Sequence, residues 1–431
     1  MDTLAYKEHC QRLITCYQHP EAGDPSPTAA DSMGLASTNR EEQSRLIGLV
    51  IDSDYELFSK DAYEWALNPA SFESVADAHL TYLALWGLKT IVGKRKPKDR
   101  AGVMATISVH IIRSRNLSPF MVRGNGINSI IFPNSFFKML DNFYQAYLVG
   151  VRQGRTDEVT GKTLHANSGI VTDHVGGLSA WRALKADYAS CRHWINQLIQ
   201  HMVFNEALPD HMQLMSDSVL WEMATKVLDM LGYGVSKRSQ MQQGKAPIEQ
   251  VTSAVYLTVV FALLHEVAHV ALDLVLQDDR RDKSGYGSGP VESLVDSMAY
   301  RAYFDYIDKV IDDKSCPIYF PDNITAHMFG PASFFMAILC RYRVGQLFVG
   351  LTNDNATTTP EYQSVIQRRR EVVARRNYLI DIVAHTASQR EMLPEYRNQL
   401  LQALMEFYVM EKAIIEFFKP KHKVDIGPIG A

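Results

Sequence analysis

The sequence predicts an α+β fold that is mostly helical, in which a small sheet precedes a pair of long helices and a helical region follows them. Three observations predict it. Two short runs rich in β-branched residues, VMATISVHII at 103–112 and INSIIF at 127–132, read as strands. A long apolar stretch at about 252–277 reads as a buried helix, and a polar, glycine-rich loop at 278–289 separates it from a second helix that begins at Pro290 and extends to about residue 312. Beyond residue 315, the segments 324–348, 361–388 and 391–418 carry helical patterns.

The remaining elements follow in order. Residues 1–20 read as a short helix, and the Pro-, Ser-, Gly- and Ala-rich stretch 21–42 as a linker or surface loop. Residues 46–92 mix apolar patches with loop residues, and within them FESVADAHLTYLALWGL is helical in pattern. KRKPKDR at 94–100 is a compact basic turn. After the second strand, Pro133, Asn134 and Ser135 precede the apolar-periodic segment FFKMLDNFYQAYLV, as an N-cap would. Residues 154–180 read as loop, 181–203 and 211–231 as helices, and 238–249 as a polar break. The chain therefore divides into an N-terminal helix and flexible linker (1–45), a central region (46–315) and a helical C-terminal region with a short tail (316–431).

Composition bounds the function. With 46% apolar and 21% charged residues, the chain can bury a sizeable core and is not a disordered protein. A formal net charge of −4 argues against a dedicated nucleic-acid binder, which needs a basic surface. Five cysteines, at 10, 16, 191, 316 and 340, form no C-x-x-C pair, so a thiolate zinc knuckle is not expected. Wide spacing and an odd number fit reduced thiols in a cytoplasmic protein. The N-terminus has no basic segment followed by a clean apolar run, so no signal peptide is expected. The apolar run at 251–264 is shorter than the roughly 20 residues a membrane span needs, and reads as a buried helix.

The central motif is His265-Glu266-Val267-Ala268-His269, an H-E-x-x-H. On a helix, residues four apart share a face, so both imidazoles can reach one metal ion. Glu266, beside the first of them, can take a proton from a water that the ion polarises. Two imidazoles leave a tetrahedral ion short of ligands, and a catalytic site adds one more protein ligand and keeps an open position. Glu292, in Glu292-Ser-Leu-Val-Asp296 at the start of the second helix, supplies that ligand if the two helices pack antiparallel. It is equally the kind of acid that the helix dipole favours in a first turn. Asp296, one turn on, can accept from the ring nitrogen of His265 that faces away from the metal, and Ala299 lets the helices approach. Asp273, Asp279 and His327 are the competing third ligands.

These residues resemble the gluzincin metallopeptidases, in which H-E-x-x-H lies on one helix and E-x-x-x-D on the next. The resemblance covers residues 252–304. It implies a zinc ion held by His265, His269 and Glu292, with Glu266 as general base and Asp296 as orienter. It makes 46–315 a zincin-like catalytic region. The sheet ahead of the motif helix and the form E-x-x-x-D-x-x-A are also similar to the ImmA/IrrE-like and the phage-exclusion Lit-like peptidases.

The implied reaction is hydrolysis of a peptide bond in a protein or peptide substrate, with no nucleic-acid or membrane partner. Tyr300, Tyr303, Tyr286 and His327 are candidates for donating to the oxyanion, with Tyr300 and Tyr303 also reading as core aromatics. Either INSIIF or VMATISVHII is a candidate for pairing with extended substrate. Hydrolysis of a non-peptide bond, or a regulatory protein built on the same scaffold, are the alternatives, and the intact Glu266 argues against the second. Two other features read as structural: the arginines 368, 369, 370, 375 and 376 as a solvated helix face, and Gly285 to Pro290 as a plain loop, since it lacks the ending of a phosphate loop.

Overall fold

The computed structural model describes most of residues 29–53, 63–93, 106–113, 118–124, 127–134, 248–275, 289–313, 330–335 and 360–389, with a few isolated positions outside these stretches. Of the linker expected at 21–42, residues 21–28 lie outside the described residues, and Ala29–Ser32 form a short helix rather than a loop. The basic turn at 94–100, the loop at 154–180, the helices at 181–203, 211–231 and 391–418, and Asp279, Tyr286 and His327 also lie outside the described residues. What is described is mostly helical, with a three-stranded mixed sheet.

The first long helix, α1 (Arg40–Asp52), starts at Asn39, whose side chain accepts from the Glu42 amide at 2.8 Å. Sequence reading left these residues in the linker and in a mixed patch. The cap and the buried Ile47, Val50 and Ile51 make them helical.

Helix α2 (Val75–Val92) contains the segment expected to be helical, and its start is fixed by a capping box. The Ser74 hydroxyl accepts from the Asp77 amide at 3.1 Å, and the Asp77 carboxylate accepts from the Ser74 amide at 3.1 Å. The other Asp77 oxygen accepts from the Ile111 amide at 2.9 Å, so one carboxylate caps a helix and pins a strand.

That strand, β1 (Thr106–Ile112), lies parallel to β3 (Ile127–Pro133), and β2 (Phe120–Gly124) lies antiparallel to β3 on its other side. The order β1-β3-β2 makes INSIIF the central strand among the described residues, so the expectation that it offers a free edge is corrected. The third strand, FMVRG, was not foreseen, because five partly exposed residues with little alternation give no period-2 signal.

Helix α3 (Ile248–Val275) carries the H-E-x-x-H motif through the middle of the core. Its many β-branched residues are poor helix formers, and burial overrides that preference. Residues 254–264 are all buried, on every side of the helix. The helix is longer than the apolar run suggested, and Val251–Leu274 has the length and composition to cross a membrane. Yet 89% of its most apolar stretch is buried against the protein's own elements, as in the core helix of a globular protein.

Two helices clamp α3. Gly87 lets α2 come close, since a Cβ there would fall 2.3 Å from Leu264 Cδ2, next to His265. On another side runs α4 (Gly289–Asp313), with Pro290 in its first turn as expected. Tyr303 of α4 packs edge-on against Phe261 of α3, with ring centroids 5.9 Å apart. A polar thread crosses this packing. His79 of α2 pairs with Gln43 of α1 at 3.0 Å and with Tyr256 of α3 at 2.9 Å, and Tyr256 pairs in turn with Tyr306 of α4. Helix α5 (Pro360–Gln389), from the region read as a C-terminal unit, packs on α4.

Candidate metal centre

His265 and His269 lie one turn apart on α3, both buried, and Glu292 reaches them from the first turn of α4. His265 Nε2 is 3.4 Å from Glu292 Oε2, and His269 Nε2 is 3.6 Å from Glu292 Oε1. These separations are too long for good hydrogen bonds. They are close to the edge of a tetrahedron with zinc bonds of 2.0–2.1 Å, which is about 3.3 Å. Three donors of the types zinc prefers thus face a common point, and the residues fit the ion. His269 Nδ1 is buried with no hydrogen-bond partner among the described residues, so Nε2 is the nitrogen directed at the cluster.

Behind the cluster, Asp296 is fully buried, and its Oδ1 lies 2.9 Å from His265 Nδ1. The Asp296 carboxylate thus stands against the far side of the His265 ring as a close ion-pair neighbour, at an angle that does not make a hydrogen bond. Asp296 is not held by His265 alone. Arg375 of α5 donates from Nε to Oδ2 at 2.7 Å and from Nη2 to Oδ1 at 2.8 Å, while its Nη1 is 3.3 Å from Glu292 Oε2.

The charges set the protonation of the site. Burial disfavours protonation of His265, but the Asp296 and Glu292 carboxylates outweigh it and push the imidazole up to about 9. Burial, helped by the His265 charge, pushes His269 down to about 4. Burial would raise Glu292 and Asp296, yet His265 and Arg375 overcome it. Glu292 lies below its ordinary value, and Asp296 is pushed down to about 2. Glu266 moves the other way. Burial, reinforced by the nearby Glu292 charge, pushes its carboxyl up to about 7, with His265, Arg375 and Arg123 opposing.

Arg375 is the residue that sequence reading missed. The expected solvated basic face is corrected at two of its five arginines: Arg369 is buried, and Arg375 reaches Asp296 and Glu292. A signal was present in the spacing. Ile366, Arg369, Val372, Leu379 and Ile382 recur at helical intervals, so the arginines at 369 and 375 fall on or beside the packed face.

The structure distributes the other candidates. Asp273 pairs with Arg123 of β2 at 2.6 Å, which ties that strand to the last turns of the motif helix. Tyr300 is fully buried, edge-on to Phe304, and Tyr303 lies against Phe261, both in the environment of core aromatics. Phe334, from the helical residues 330–335, stacks obliquely on His265 with centroids 6.0 Å apart.

Comparison with protein-family profiles, curated proteins and solved structures gives no match to this chain.

Proposed function

We propose that this chain is a zinc-dependent hydrolase that cleaves peptide bonds. The observation that carries the reading is the convergence of His265 Nε2, His269 Nε2 and the Glu292 carboxylate, with Glu266 next to it in sequence and in space. A bound zinc ion would lower the pKa of a water and polarise the carbonyl under attack.

The chain's own residues do the rest. Glu266, next to His265 on the motif helix, is the carboxylate placed to accept a proton and to give it back. It takes the proton as the water oxygen bonds to the carbonyl carbon, and delivers it to the amine as the C–N bond breaks. Asp296 lies against Nδ1 of His265, so Nε2 is the nitrogen available to a metal. The apolar wall of α3 and Phe334 restrict water around the ligands. A peptide substrate is favoured by strand β2, which ends the described sheet and is tied beside the motif helix.

The test is a zinc determination and a proteolysis assay on purified full-length protein, beside Glu266→Gln. One zinc per chain in both, with cleavage only by the wild type, is the expected result. Absence of zinc from both, in preparations never exposed to chelator and then offered zinc, overturns the reading.

A further inference from the structure

A fully buried carboxylate stays ionised only if donors and a countercharge replace the water it has lost. Asp296 has both, and most of the provision comes from a helix that neither sequence motif includes. Arg375 lies 79 residues further along the chain. Its Nε and Nη2 grip the two oxygens of Asp296 as a planar fork, at 2.7 and 2.8 Å. Such a fork fixes the plane of the carboxylate as well as its charge. The oxygen left facing α3, Oδ1, is the one 2.9 Å from His265 Nδ1. The third nitrogen, Nη1, reaches Glu292 Oε2 at 3.3 Å, so one guanidinium spans both acids of E-x-x-x-D.

The guanidinium is itself held in place. Its side chain is 15% exposed, the Phe335 ring lies 5.5 Å from its central carbon, and α5 packs Val372 and Leu379 into the core on either side of it. Metal affinity then depends on the docking of a helix that contributes no ligand.

We propose that Arg375 is a positioning residue of the metal centre: by its fork on Asp296 it locks the carboxylate that orients His265, and it draws Glu292 toward the two histidines. This rests on the reading of His265, His269 and Glu292 as a zinc site.

The experiment uses the full chain, stripped of metal and titrated with zinc against a competing chelator, and separately loaded with cobalt for its visible absorption. Arg375→Met removes the charge and keeps the stem. Arg375→Lys keeps the charge and loses the fork. Each should weaken zinc binding by roughly ten- to a hundredfold, the scale of an outer-sphere partner, and should alter the cobalt spectrum. Because Arg375 acts in part through Asp296, the pair Arg375→Met with Asp296→Asn should lose less zinc affinity than the product of the two single losses.

Arg369→Met, on the same buried face of α5, should keep wild-type zinc affinity. Circular dichroism checks that each variant is folded, and Arg375→Lys carries the test if Arg375→Met does not fold. Unchanged affinity and cobalt spectrum in a folded Arg375 variant overturn the proposal. So do losses that multiply in the double variant, or a loss in Arg369→Met as large as that in Arg375→Met. If the wild type binds neither zinc nor cobalt, the metal reading itself fails, a result distinct from all of these.

Discussion

The rings of His265 and His269 stand at right angles, with centroids 5.0 Å apart and planes inclined at 89°. One helical turn separates the two residues, so the crossing lets both Nε2 atoms approach Glu292, each toward a different oxygen. Glu292 starts α4, and the position of that helix thus decides whether the two histidines have a third partner.

His269→Ala removes one of the three donors outright, whereas Asp296→Asn disturbs only the orientation of another. Loss of an outer partner costs roughly ten- to a hundredfold in metal affinity. His269→Ala should therefore exceed that loss and Asp296→Asn should fall within it. Zinc competition titrations measure both. Equal losses in the two variants would mean that His269 is not a ligand.

Gly330 marks where the segment bearing Phe334 meets the core. A Cβ there would lie 2.5 Å from the Tyr303 hydroxyl and 2.6 Å from the Leu257 carbonyl oxygen. The carbonyl belongs to the backbone of α3 and cannot swing away. Gly330→Ala should lower stability by about 1–3 kcal/mol, the usual cost of overpacking. Gly87→Ala should cost less, because the nearest atom there is the end of the Leu264 side chain. Chemical denaturation of the two variants ranks them, and the reverse order would contradict the packing described for residue 330.

Asp77 and His79 on α2 give stability opposite dependences on pH. Burial pushes Asp77 up from 3.8 to about 7, with its hydrogen bonds to Ile111 and Ser74 only partly offsetting it. Its contribution is complete below about 3.8 and is lost as pH rises through about 7. Burial pushes His79 down from 6.5 to about 4, so its contribution is complete above 6.5 and is lost as pH falls through about 4. Each tenfold change in a dissociation constant is worth about 1.4 kcal/mol, so either slope alone is large enough to measure. Compared with the wild type, His79→Gln should gain stability between pH 7 and 4, and Asp77→Asn should lose it more steeply. Urea midpoints across that range test both, and two profiles parallel to the wild type would refute the burial argument.

Arg123 and Asp273 form a pair that is partly open to water, at 36% and 20% exposure. Its worth in stability should be under about 1 kcal/mol. Its effect on β2 should be larger than that figure suggests, because the strand is short and partly exposed. Arg123→Ala should leave the denaturation midpoint almost unchanged and speed amide exchange at 120–124. No change in exchange there would mean that the ladder to β3 alone holds the strand.

Much of the candidate centre was legible in the residues because its two histidines are set by local spacing. Histidines four apart on a helix share a face. The long α3 and the Pro290 start of α4 were equally plain, since each rests on a run of apolar residues or on a residue with restricted backbone angles. Strand β2 was not, because its signal is a pairing partner rather than a pattern. Nor was the inward turn of Arg375 on α5, because composition cannot tell which side of a helix meets a carboxylate.

By itself, then, the sequence determined the helix that bears His265, Glu266 and His269 and the shared face of its two histidines. Tertiary structure decided that Glu292 reaches both histidines and that Asp296 is fully buried behind one of them. It also decided that the countercharge arrives from Arg375 on a distant helix. The reason is physical. Spacing along a helix is fixed by its own hydrogen bonds, whereas the meeting of charges on separate helices is fixed only when burial removes the water that would otherwise solvate each of them.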